Sequence, residues 1–196
     1  MVRGEVLIDR QTFTGLLNDN PVIAAVKDDD GLAQALESDC NVIFSLFGSV
    51  VNVPAIAERI KSRGKACFLH MDLIDGLATR EVSIDFIARN TCADGIISTK
   101  QNLVKRAAAC GLLAVQRFFL LDSLALSNIE KQYLETAVCA IELLPGLMPK
   151  IIRQISATVR EPVIAGGLIN DKSDVMNALR AGACAVSTTN SGVWFM

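Results

Sequence analysis

One histidine serves the whole 196-residue chain, and none of its six cysteines pairs with another in a Cys-x-x-Cys spacing. That argues against the usual spaced patterns of zinc ligands. Cys67, Cys139 and Cys184 sit inside apolar runs and read as buried free thiols. No uninterrupted apolar run approaches the roughly 20 residues that a membrane-spanning helix needs. The opening residues, Met1-Val-Arg-Gly-Glu-Val6, lack the apolar centre of a secretion signal, so a cytoplasmic protein is expected. Basic charge is not in excess either: the formal net charge is −2 and the sequence pI about 5.4. A surface dominated by nucleic-acid electrostatics is therefore not expected, although a local basic patch remains open. No Gly-rich dinucleotide fingerprint follows the first expected strand, which counts against a Rossmann domain.

What is present is apolar. Hydrophobic residues make up 51% and charged ones 20%, and the mean hydropathy is +0.38. Such a chain can bury a sizeable core, which excludes disorder. High apolar content without a membrane span fits parallel strands covered on both faces. Expected strands begin near residues 22, 41, 65, 94, 112, 138, 162 and 183, with a helical stretch between each pair. Regular alternation of this kind implies parallel strands with right-handed crossovers. Eight units predict a small single-domain (βα)8 barrel of the TIM type, below the typical size of about 250 residues. An open doubly wound sheet is the alternative. A leading amphipathic helix is expected within residues 1–20, the barrel over 21–189 and a short tail over 190–196. Asp9 caps the leading helix and Asn18-Asp-Asn-Pro21 stops it. Further expectations are a third strand over Lys65–Asp72, a fifth over Leu112–Leu121 and a helix around Ser127–Thr136. Seven residues follow Thr189, so the last helix is short or missing. The N-terminal segment or a second subunit would then cover the gap, and a homo-oligomer stays open.

The candidate binding residues stand where strands leave the core. Pro162-Val-Ile-Ala-Gly-Gly-Leu-Ile169 and Gly182-Ala-Cys-Ala-Val-Ser-Thr-Thr189 each run from a buried strand into small or hydroxylated residues. Gly166 and Gly167 let backbone N–H groups approach a ligand, while Ser187 and Thr188 add hydroxyls. Loops after strands 7 and 8 frequently hold phosphate in such barrels. His70 and Asp72, two apart on the third expected strand, share a face and suit a polyol or acid–base chemistry. A hydrogen-bonded structural pair is the plainer reading. Glu142 lies between Ile141 and Leu143 and points into the barrel if those pack on helices. A buried carboxylate needs a ligand, a cation or an arginine. Of Gln116 and Arg117, alternation favours Gln116 inside, with Arg117 reaching an anion over the rim or forming a surface salt bridge. Lys27 and Lys100 are further rim cations that meet either an anion or solvent. Ser98-Thr99-Lys100 also reads as a helix cap, and Lys100, Lys105 and Arg106 as a solvated helix face.

Several segments taken in order carry a family resemblance. They include Leu46-Phe-Gly48, His70-Met-Asp-Leu-Ile-Asp-Gly76, Ala93-Asp-Gly-Ile-Ile-Ser-Thr99, Gln116-Arg-Phe-Phe-Leu-Leu-Asp-Ser123, Ile141-Glu-Leu-Leu-Pro-Gly146, Ile164-Ala-Gly-Gly-Leu-Ile169 and Ala185-Val-Ser-Thr-Thr189. From about Pro21 to Trp194 the chain resembles the glycerol-3-phosphate-responsive antiterminators of bacterial glycerol-uptake operons. The resemblance implies a transcription regulator, not an enzyme. Such a regulator binds glycerol 3-phosphate as effector, without a cofactor, and then the leader mRNA. It further implies that Gly166, Gly167, Ser187 and Thr188 hold the phosphate. Glu142 with His70 or Asp72 would face the glycerol hydroxyls, and Arg117 would sense phosphate or touch RNA. Two other readings use the same residues. One is a small barrel enzyme acting on a phosphorylated triose or polyol, with His70, Asp72 or Glu142 as acid or base. The other is a sensor that binds a protein partner.

Overall fold

The computed structural model describes residues 7–133 and 137–196. Residues 1–6 of the leading segment and Thr136, the expected end of a helix, lie outside them. Eight parallel strands close into a barrel in chain order. They are β1 (Val22–Val26), β2 (Val42–Ser45), β3 (Ala66–His70), β4 (Gly95–Ser98), β5 (Leu113–Phe119), β6 (Ala140–Leu144), β7 (Val163–Gly166) and β8 (Ala185–Thr188). Between them run α2 (Asp29–Glu37), α3 (Val53–Lys61), α4 (Glu81–Asn90), α5 (Gln101–Ala109), α6 (Ser123–Tyr133), α7 (Pro149–Thr158) and α8 (Lys172–Arg180). The leading helix is α1 (Arg10–Asp19), and α9 (Ser191–Trp194) follows the last strand. No helix among the described residues is long and apolar enough to cross a membrane.

Local chemistry sets the helix starts. Asp9 caps α1 through Thr12 N, Asp28 caps α2 through Gly31 N, and Asp171 caps α8 through Asp174 N. Asp29 and Asp30 then complement the dipole of α2. Helix α6 starts at Ser123, earlier than its sequence suggests, because Asp122 accepts Ala125 N at 2.7 Å.

Each strand is buried on both faces. One set of side chains, including Ile43, Leu69, Ile141 and Val186, packs under the helices. The other set, including Phe44, Phe68, Val115 and Ile164, fills the barrel. Phe13 and Leu17 of α1 join this interior set, both essentially inaccessible to solvent. The Phe13 and Phe68 ring centroids lie 4.9 Å apart. Helix α1 therefore stoppers the end where the strands begin, and burying each such side chain contributes roughly 1.5–3 kcal/mol. Asp94, fully buried, fixes the same floor. It accepts from Lys61 Nζ at 2.7 Å, Cys67 N at 2.9 Å and Ile8 N at 3.3 Å.

Helix α1 thus closes the floor and does not cover the gap beside β8. Helix α9 covers that gap, burying Val193 and Trp194 against β1 and α2. Trp194 Nε1 donates to Thr188 O at 2.9 Å. Strand β3 stops at His70, and Met71–Leu73 turn as a 3-10 helix. Cys67 and Cys139 are buried free thiols as expected, but Cys184 is only half-buried. Burial pushes the Cys139 thiol up to about 12 and the Cys184 thiol to about 11.

Candidate functional site

With the floor closed by α1, the open end of the barrel is the one where the strands finish. Four inward side chains from different strands meet there. Arg117 and Glu142 are register partners on β5 and β6. Arg117 Nε donates to Glu142 Oε2 at 2.6 Å, and the two side chains are 8% and 0% exposed. Glu142 Oε1 accepts the Ser187 hydroxyl from β8. His70, at the end of β3, is 3% exposed, and its Nδ1 has no hydrogen-bond partner among the described residues. Burial, and next the Arg117 charge, lower the His70 imidazole to about 4, against partial support from Asp72 and Glu142. It is therefore neutral at physiological pH.

Strand β7 completes the ring with a glycine, and the reason is steric. A Cβ on Gly166 would stand 2.6 Å from Glu142 Oε1 and 2.7 Å from Ser187 Oγ. The space belongs to the carboxylate network, so close backbone approach to a ligand is not the first reason for this glycine. Gly167 and Leu168 continue in left-handed conformations, with φ of 75° and 62°. The loops after β7 and β8 are tied together, since Asn190 Nδ2 donates to Asn170 O at 2.8 Å. The Thr188 hydroxyl is already engaged: it donates to Ile169 O at 2.7 Å and accepts Asn190 N at 3.0 Å.

Two expectations need correcting. Arg117, not Gln116, faces the interior. Gln116 pairs in register with Ile141, which packs under the helices, while its neighbour Val115 belongs to the barrel interior. Asp72 does not share a strand face with His70, because the chain turns after His70. Its carboxylate accepts Ser98 Oγ at 2.6 Å and both Thr99 N and Thr99 Oγ1 at 2.8 Å, pinning the loop after β4. Burial raises the Asp72 pKa, but these hydrogen bonds outweigh it and leave the group below its ordinary value. Ser98 Oγ also accepts Lys100 N at 3.0 Å, so this stretch does shape the start of α5.

Lys27 and Lys100 are exposed and outside the buried network. Lys27 borders a cavity of about 260 Å³ shared with Asp28, Thr189 and Trp194. Arg106 of the basic stretch is held by Asp85 at 2.7 Å. Sequence reading missed Phe119, which ends β5 two residues beyond Arg117 and is 51% exposed. Its signal was an aromatic at a strand end. Among the described residues no group of three or more His, Cys, Asp or Glu side chains is placed to hold a metal ion.

Fold and site together define a closed βα barrel with a buried network of polar side chains at the carboxyl ends of its strands. The family described as glycerol-3-phosphate responsive antiterminator matches residues 22–194. The chain is 46% identical over 179 residues to the uncharacterized protein YgcP of Escherichia coli strain K12, covering 91% of this chain and 94% of that one. It superposes on the crystal structure of the glycerol uptake operon antiterminator regulatory protein from Listeria monocytogenes with a TM-score of 0.86. That match has 34% identity and covers 90% and 95% of the two chains. A glycerol uptake operon antiterminator-related protein from Thermotoga maritima matches at TM-score 0.78 and 34% identity, over 89% and 98%. Barrel enzymes at 13–16% identity share the fold alone. The chain belongs to the glycerol-3-phosphate responsive antiterminator family, a family of regulators.

Proposed function

We propose that this protein is a glycerol 3-phosphate-gated antiterminator that acts in the cytoplasm on the leader mRNA of glycerol-utilisation operons. The observation that carries the ligand half is the buried Arg117–Glu142–Ser187 chain facing an unpartnered His70 Nδ1. A polyol hydroxyl can donate to one of these groups and accept from another. The phosphate is assigned to the Gly166–Gly167 and Ser187–Thr188 loops. Gly166, Ser187 and Thr188 are buried while Gly167 and Thr189 reach solvent, and the Arg117 bond through Nε leaves the two Nη groups of the guanidinium for other partners. Lys27 and Lys100 stand further out on the rim. Family membership and the names of the Listeria and Thermotoga relatives support the regulatory role. For RNA, Phe119 offers a half-exposed ring on which an unstacked base can lie, on the same strand as Arg117.

Acid–base catalysis is less well supported by the same residues. A catalytic group works best when its pKa lies near the operating pH. His70 is driven down to about 4, and the Asp72 carboxylate is engaged by three hydrogen bonds.

Thermal unfolding tests the ligand assignment. Glycerol 3-phosphate at about 100 times its Kd is expected to add about 2.7 kcal/mol to stability. For a domain of this size that raises the midpoint by roughly 5–10 °C. Glycerol or inorganic phosphate at equal concentration should do far less, and no shift with the ester would remove the assignment.

A further inference from the structure

The chamber is electrically balanced, and the balance is fixed in place. Glu142 accepts Arg117 Nε on one oxygen and the Ser187 hydroxyl on the other. Its carboxylate also fills the space that a Gly166 side chain would occupy. Both partners of the ion pair are buried, so solvent screens neither. His70 adds a neutral ring with a free Nδ1, and Asp72 is turned to the loop after β4. One cation, one anion and one neutral imidazole therefore meet whatever enters beside the phosphate.

We infer that Glu142 is a specificity-determining residue: its fixed carboxylate, balanced by Arg117, admits the uncharged hydroxyl end of a phosphate ester and rejects esters whose other end is a carboxylate. The inference rests on the ligand placement proposed above. A second carboxylate would lose its hydration on entry. It would lie beside Glu142, and Arg117, the buried cation there among the described residues, is already shared between Glu142 and the phosphate. Like-charge juxtaposition of this kind is a common means of excluding a wrong partner.

Two probes share a carbon skeleton. Glycerol 3-phosphate ends in CH2OH, and 3-phosphoglycerate carries a carboxylate there. Calorimetric titration of the full chain with each is expected to favour the first by about tenfold or more. In Glu142→Gln the Arg117 charge is no longer balanced, and the preference should shrink by about tenfold or reverse. The double variant Arg117→Gln/Glu142→Gln has no charge at either position and should recover a preference for glycerol 3-phosphate. Equal affinity of the unaltered protein for both esters overturns the inference, as does an unchanged ratio in Glu142→Gln. If that variant does not fold, the comparison on the unaltered protein decides alone. Binding of neither ester removes the glycerol 3-phosphate reading itself. Tight glycerol 3-phosphate binding without discrimination removes only the filter.

Discussion

Arg117 and Glu142 face each other across the β5–β6 ladder, joined by a 2.6 Å bond between two side chains that solvent barely reaches. Removing one partner of such a pair strands the other in a site of low polarity. Glu142→Ala is therefore expected to cost about 3–5 kcal/mol of stability, measured by urea denaturation. A loss below about 1 kcal/mol would mean that Arg117 finds water or another partner.

Gly166→Ala should be harmful in proportion to its geometry. The added methyl would sit 2.6 Å from Glu142 Oε1, so the carboxylate or the strand must shift. A loss of about 1–3 kcal/mol is expected from such overpacking. Gly15 of α1 is the control, because nothing lies within 4 Å of its added Cβ. Gly15→Ala should stabilise by about 0.5–1 kcal/mol. Equal effects at the two glycines would contradict the steric account.

The single imidazole allows a direct titration. The His70 value in the fold is about 4, below the unfolded 6.5. Between those values the unfolded chain binds a proton that the folded chain does not. The His70 contribution to stability is thus full above about pH 6.5 and is lost as pH falls toward 4. Asp72 acts lower: its depressed pKa contributes stability above 3.8 that is lost as pH falls further. The one histidine ring in a proton NMR spectrum should titrate with a midpoint near 4. A midpoint near the unperturbed 6.5 would place the ring outside the buried chamber.

Phe119→Ala should leave glycerol 3-phosphate affinity intact and weaken leader RNA binding by about 1–3 kcal/mol, the usual worth of one stacked base. Filter binding with RNA and calorimetry with the ester separate the two effects. Unchanged RNA affinity would move the RNA contact away from the end of β5.

The barrel itself was legible because spacing and apolar runs repeat eight times, and Glu142 was legible because its neighbours Ile141 and Leu143 define the opposite face. Gln116 and Arg117 were not. Leu113, Ala114 and Val115 before them are apolar on both faces, as a doubly covered strand requires, so alternation carried no sign. Asp72 reads as sharing the face of His70 because a strand that turns after His70 looks the same, residue by residue, as one that continues. The role of Gly166 depends on a carboxylate from the neighbouring strand, and Gly95 is similar. A Cβ there would lie 2.5 Å from the Phe68 ring. Such pairings join residues distant in sequence, and no local pattern records them. The docking of Phe13 and Leu17 under the barrel was hidden for the same reason.

The proposed function requires that glycerol 3-phosphate bound at the buried network tighten the hold on RNA. Its most direct test is a titration of the leader RNA with and without saturating glycerol 3-phosphate. The ester should tighten RNA binding by about five-fold or more, the range of typical coupling energies, and added salt should weaken the complex. RNA affinity that is the same with and without the ester, in a protein that demonstrably binds the ester, would contradict it.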